Sequence, residues 1–150
     1  GFMFGGLAQM IAGFQEQKVG NNFGYSAFVS YGAFWIGLSI IYIMNHLDVY
    51  TTTHLDKAFF MTAWTLYTVI MFIASFRVNR AMTVTFALLL LGFIGLDFAY
   101  FGMECVRPYA SVVLICCAFS AWYMMAAIII NDLAGKTVLP LGTPWAKRAN

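Results

Sequence analysis

Read only for apolar and polar positions, the chain breaks into five apolar stretches joined by short polar ones. They run over about Phe2 to Phe14, Ala27 to Met44, Ala58 to Phe76, Ala81 to Phe101 and Tyr109 to Ile130. Each of the last four approaches the ~20 residues an α-helix needs to cross a hydrocarbon core of roughly 30 Å. The first offers about 13 apolar positions, or roughly 20 Å at a rise of about 1.5 Å per residue, too short to cross alone. The pattern predicts an all-α fold, a polytopic transmembrane helix bundle with five visible spans, the first of them truncated. Residues 1–150 then form a single transmembrane domain, in which 131–150 are a short C-terminal tail where Pro140 and Pro144 discourage further helix. Because the chain starts at Gly1 rather than at methionine, a preceding helix is expected, giving a six-span protomer.

The polar connections are short, as bundle loops are. One holds Glu16, Lys18, Gly20, Asn21, Asn22 and Gly24, another runs from Asn45 to Lys57, a third from Arg77 to Arg80, and a fourth surrounds Glu104, Arg107 and Pro108. Thr53 and Asp56 have the spacing of a helix N-cap followed by an acid in the first turn, which marks the start of the third span.

Composition supports lipid as the solvent. Only 9% of the residues are charged against 62% hydrophobic, where a soluble domain carries about a quarter charged. A formal net charge of +2 is too small for a nucleic-acid partner. The basic residues speak to orientation instead. Lys18, Arg77, Arg80, Lys136, Lys147 and Arg148 fall on one side of the alternating spans, and Lys57 and Arg107 on the other. The positive-inside rule makes the first side cytoplasmic and predicts a multi-pass protein of the plasma (inner) membrane with its C-terminus inside.

Candidate chemistry is sparse. Cys105, Cys116 and Cys117 lack CxxC spacing and a neighbouring histidine, so they read as small apolar residues rather than ligands, and no metal or cofactor is expected. His46 and His54 fall in a loop region, outside the bundle interior that a bis-histidine haem would need. No nucleophile is paired with a base, which argues against an enzyme. Small residues four apart, such as Ala8 and Ala12, Ser26 and Ser30, and Ala33 and Gly37, beside Gly5, Gly6 and Gly13, predict close helix packing. Gln9 sits in an apolar span and must face protein or water, because an unpartnered amide in lipid costs a few kcal/mol. Ser30, Tyr31, Trp35, Thr65, Thr68, Thr83 and Thr85 carry donors that can serve either a backbone carbonyl or a passing solute. Glu16 and Asp97, near span ends, are candidates for proton coupling or else solvated helix-end charges. With no Lys or Arg deep in a span, the chain suits a small monocarboxylate passed along neutral donors better than a tightly held dianion.

The residues also resemble a known family. Phe4-Gly5-Gly6, Gln9, Ala12-Gly13, Glu16, Gly20-Asn21, Phe23-Gly24, Phe28, Ser30-Tyr31-Gly32 and Phe34-Trp35 match, in order and spacing, the signature of the acetate uptake transporters, the acetate and succinate permeases of bacteria, archaea and fungi. Trp64, Thr68 and Met71-Phe72, then Asn131, Gly135, Val138-Leu139-Pro140 and Gly142, extend the likeness over nearly the whole chain. The resemblance implies a homo-hexamer of six-helix protomers, each with its own path for acetate-sized monocarboxylates, in some members succinate, by proton-coupled uptake or channel-like permeation. It places Tyr31 in the family's narrow hydrophobic constriction and Leu89, by counting from Trp64, at a second constriction position. The third constriction residue, an aromatic on the first helix, and the Asn-Pro-Ala-Pro-Leu-Gly entrance motif have no counterpart in this chain. The leading expectation is a transporter or channel in which Gln9, Tyr31 and Trp35 offer donors to the carboxylate. The rival from another class is a membrane sensor of acetate, or an organiser of a membrane complex, without flux.

Overall fold

The computed structural model describes residues 1–146, so Lys147 and Arg148 of the charge pattern lie outside the described residues. All regular structure among those residues is helical, in two compact units, Gly1–Thr53 and a second that begins at His54.

The first unit starts with a π-helical turn, Phe2–Ala8, that runs without a break into α1, Gln9–Lys18. Its wide turn is closed by the Gly6 N–H on the Gly1 carbonyl at 2.8 Å, a five-residue span that nothing in the hydrophobic pattern signals. Gly20, with a positive φ of 78°, breaks the chain after α1, and α2 follows over Asn22–His46. The N-cap of α2 is Asn21, whose side chain accepts from the Gly24 N–H.

The second unit holds α3, His54–Ser75, α4, Arg80–Tyr100, a 3₁₀ turn at Glu104–Val106, and α5, Arg107–Ala134. Packing runs α3 on α4 and α4 on α5. The start of α3 falls where the Thr53–Asp56 spacing places it. Asn79 caps α4 through the Met82 N–H, and Gly135, in the left-handed conformation, ends α5.

Among the described residues four helices are long and apolar enough to cross a membrane, as the pattern predicts, namely Asn22–His46, His54–Ser75, Arg80–Tyr100 and Glu104–Ala134. Most boundaries shift outward: Glu16 and Lys18 close α1, Asn22 and Gly24 open α2, Asn45 and His46 end it, His54 to Lys57 open α3 and Arg80 opens α4, all expected in connections. Arg107 and Pro108, expected in a loop, form the first turn of α5, because proline at the N-terminal positions of a helix forfeits only an N–H that has no partner there. Residues 131–134, expected in the tail, are the last turn of that helix. Helical hydrogen bonding continues past the apolar stretch into the polar margin, which hydropathy does not see.

Burial is inverted relative to a water-soluble protein. The second unit buries Thr65, Thr68, Ser75, Thr83 and Thr85 together with Ala58, Met61, Met71, Phe86 and Phe93. Large apolar side chains such as Leu66, Ile70, Ile73, Leu91, Ile115 and Phe119 point outward. An exterior of this kind suits hydrocarbon rather than water.

Candidate functional site

The first unit is assembled on glycine. A β-carbon at Gly32 would lie 2.9 Å from the Gly6 carbonyl oxygen and 3.0 Å from the Met10 nitrogen, so α2 meets the π-turn and α1 backbone to backbone. Gly13 meets the Val29 nitrogen in the same way, at 2.8 Å. This is the close approach that small residues permit between helices in lipid. Tyr31, beside Gly32, is buried, and Gln9 is half-buried at the junction of the π-turn and α1. Trp35 lies over Gly5, where a β-carbon would come within 3.0 Å of its indole, and meets Phe34 edge-on. Gly6, Gly13 and Gly32 thus line the close contact of α2 with the π-turn and α1, beside which Gln9 and Tyr31 lie in sequence, and the Trp35 ring packs on Gly5 and Phe34. Ser30 is half-buried one residue before Tyr31.

Glu16 and Asn21, separate positions in the sequence pattern, form one device. The Asn21 amide donates to Glu16 Oε2 at 2.6 Å while its oxygen accepts from the Gly24 N–H at 3.1 Å. A β-carbon on Gly24 would strike both side chains, 2.6 Å from the amide nitrogen and 2.8 Å from the carboxylate oxygen. The carboxylate therefore holds the turn that launches α2.

In the second unit every buried hydroxyl has a backbone acceptor. Thr65 donates to the Met61 carbonyl, Thr68 to Trp64 and Thr85 to Ala81, each one turn back, while Ser75 donates to Phe72. Thr83 reaches the Ser75 carbonyl across to α3 at 3.2 Å. Thr85 and Ser120 share a hydroxyl contact of 2.6 Å between α4 and α5, and the Cys117 thiol donates to the Thr85 carbonyl at 3.4 Å. Leu89, one turn beyond Thr85, is half-buried. Asp97, three residues from the end of α4, turns its carboxyl to the hydroxyls of Thr65 and Thr62 on α3, and its Oδ1 is buried without a hydrogen-bond partner.

Asn131 proves to be the anchor of the tail. Its amide donates to the Leu139 carbonyl at 2.8 Å, and its oxygen accepts from the Val138 and Leu139 N–H groups at 2.7 and 2.9 Å. The tail then reaches the α3–α4 turn, with the Ala81 N–H on the Leu141 carbonyl, the Ala146 N–H on the Phe76 carbonyl, and the Arg80 guanidinium 4.6 Å from the centre of the Trp145 ring. Arg77, Arg80 and the tail therefore share one end of this unit, while Glu104 and Arg107 form a bidentate ion pair of 2.7 and 2.9 Å at the other.

Sequence reasoning missed Thr62, Ser120 and the π-turn. Thr62 was open to detection, since it lies three residues before Thr65 and so on the same helix face. Ser120 was not, because its partner Thr85 is distant in sequence and contact between the two helices cannot be read from periodicity.

Spans with apolar exteriors, glycine-mediated backbone contact and self-satisfied interior hydroxyls define a multi-pass α-helical membrane protein. The chain belongs to the GPR1/FUN34/yaaH family, whose model matches residues 1–142, and the resemblance drawn from the sequence motifs is thereby shown. It is similar to the succinate-acetate/proton symporter SatP of Escherichia coli (strain K12), 33% identical over 150 residues that cover 95% of this chain and 77% of that protein. It is also similar to acetate permease A of Emericella nidulans, 29% identical over 97% of this chain and 55% of the permease. The solved structure of the bacterial acetate channel SatP superposes with a TM-score of 0.90 at 31% identity, covering 94% of this chain and 79% of the channel.

Proposed function

We propose that this protein carries acetate and similar small monocarboxylates across the membrane. The observation that carries the reading is the match in both sequence and fold to a protein named as an acetate symporter and channel, over 94–95% of this chain. The residues agree with it. Gln9 and Tyr31 are neutral hydrogen-bonding groups held on a rigid glycine seam, which can solvate a carboxylate weakly enough to release it. Tyr31 and Leu89, each within its own unit, are the constriction residues that the family likeness assigns, and Trp35, one turn from Tyr31, is a further candidate donor to the carboxylate.

The proposal extends to proton co-transport, for which Glu16 and Asp97 are the candidate carriers, and to assembly as a homo-hexamer in the plasma (inner) membrane. A cytoplasmic C-terminus is supported by the placement of Arg77, Arg80 and Lys136 together with the tail at one end of the second unit. The test is uptake of labelled acetate by proteoliposomes. Uptake above that of empty liposomes, saturable by unlabelled acetate, is expected. A rate equal to the empty liposomes, with acetate still binding to the protein, would transfer the chain to the sensor class.

A further inference from the structure

The α3–α4 contact contains a carboxyl facing hydroxyls whose protons are already committed. Thr62 Oγ1 donates to the Ala58 carbonyl at 2.9 Å and Thr65 Oγ1 to the Met61 carbonyl at 3.1 Å. A hydroxyl has one proton, so each of these oxygens turns only lone pairs toward a third group. That third group is the Asp97 carboxyl. An ionised carboxylate is acceptor-only and would meet two acceptors, with Oδ1 buried and empty-handed. A protonated carboxyl has one O–H to donate, which a threonine oxygen accepts, and a neutral carbonyl oxygen can be left without a partner at far lower cost than a charged one.

We propose that Asp97, Thr62 and Thr65 form a proton-binding switch between α3 and α4, in which the packed state holds the proton on Asp97. Release follows in a balanced step. The carboxyl O–H breaks, the proton leaves to water, and the two threonine hydroxyls rotate away from the Ala58 and Met61 carbonyls to donate to the new carboxylate. The two backbone carbonyls keep their helical N–H partners throughout, so α3 stays intact while its hydroxyls change allegiance.

The route out is short. Asp97 lies about 4.5 Å along the axis from the end of α4, at a rise of about 1.5 Å per residue. Thr65 and Thr62 are the side chains that the carboxyl faces. At that end of the unit the titratable and charged side chains are His54, Asp56 and Lys57 on α3, Tyr100 on α4, Glu104 and Cys105 in the 3₁₀ turn, and Arg107 and Tyr109 on α5. Arg107 is taken up by Glu104 and stacks 4.9 Å from the Tyr100 ring centre, so it offers Asp97 no counter-charge.

The link from this switch to uptake rests on the transport reading above, whereas the protonation does not. Infrared spectroscopy of the purified protein in lipid, titrated through neutral pH, tests the latter. A protonated-carboxyl stretch should be present, should shift in deuterated water, and should be lost in Asp97→Asn. Thr65→Val removes an acceptor and should move that band, a readout that holds even if Asp97→Asn folds poorly. Absence of any Asp97-dependent carboxyl band across mildly acidic to mildly alkaline pH, or a band indifferent to Thr65→Val and Thr62→Val together, overturns the proposal. In proteoliposomes, Asp97→Asn should abolish stimulation of acetate uptake by an inward proton gradient, and retained stimulation would sever the switch from transport. If wild type carries no acetate at all, the transport reading fails while the infrared result still decides the switch.

Discussion

Replacing Gly32 by alanine adds one methyl group where two backbones touch. The new carbon would stand 2.9 Å from the Gly6 carbonyl oxygen, 2.9 Å from the Met10 β-carbon and 3.0 Å from the Met10 nitrogen. None of these is the far end of a flexible side chain, so relief requires the helices to part by about 0.5 Å, a gap that forfeits about a quarter of each dispersion contact along the seam. Overpacking of this kind costs about 1–3 kcal/mol. At about 2–4 °C per kcal/mol for a chain of this size, the midpoint of thermal unfolding in detergent should fall by about 2–12 °C. Gly92→Ala is the control. Its β-carbon would come even closer to a methyl and the Cγ of Leu114, yet both belong to a rotatable side chain rather than to backbone. The expected order is therefore the reverse of the raw distances, with Gly32→Ala the more damaging. If Gly92→Ala lowers the midpoint further, or Gly32→Ala leaves it unchanged, the argument that backbone contact organises the first unit is wrong.

Three further outcomes are expected. Tyr31→Ala should raise acetate flux or broaden selectivity toward larger acids while Tyr31→Phe changes less, measured by competition in proteoliposomes; identical profiles for all three proteins would remove Tyr31 from the pathway. Asn131→Ala deletes three hydrogen bonds to Val138 and Leu139, worth about 1.5–4.5 kcal/mol together, so trypsin should cut after Lys136 at least about tenfold faster, and an unaltered cleavage rate would mean that the tail is held elsewhere. Asn21→Ala should cost about 1 kcal/mol as a lost cap, but Asn21→Asp should cost more despite being an equally good cap elsewhere, because it sets a second carboxylate against Glu16 at the 2.6 Å contact; equal melting points for Asp and wild type would refute that pairing.

Spans were legible because a bilayer demands a long uninterrupted apolar run, and α2 to α5 each supply one. Their ends were less so. The fit of Pro108 into the first turn of α5 depends on helix-terminus chemistry, and the extension of that helix to Ala134 on hydrogen bonds that a polar residue makes as readily as an apolar one. Motif positions were visible as residues but not as roles. Glu16 reads in sequence as an acid near a span end, and only the fold closes the five-residue gap to Asn21 that occupies it. Asn131 likewise reads as one more polar residue until the tail folds back on it. The π-turn was hidden altogether, since Phe2–Ala8 has the composition of any small-residue helix and its wide winding is expressed only in the backbone.

The polar groups of this protein divide by whether the backbone has already claimed them. Thr68, Ser75, Thr83 and Thr85 spend their single proton on a carbonyl, so they stabilise helix contacts without inviting a solute. A membrane interior makes this the resting condition, because an idle donor there costs more than in water. Function then requires exceptions, places where a hydroxyl or amide can exchange its partner at little net cost. Thr62 and Thr65 meet that requirement, since they alone among these hydroxyls face an acid that can trade roles with the carbonyl behind them. Substituting valine for Thr68 should therefore affect stability only, whereas valine at Thr65 should also change how uptake depends on pH.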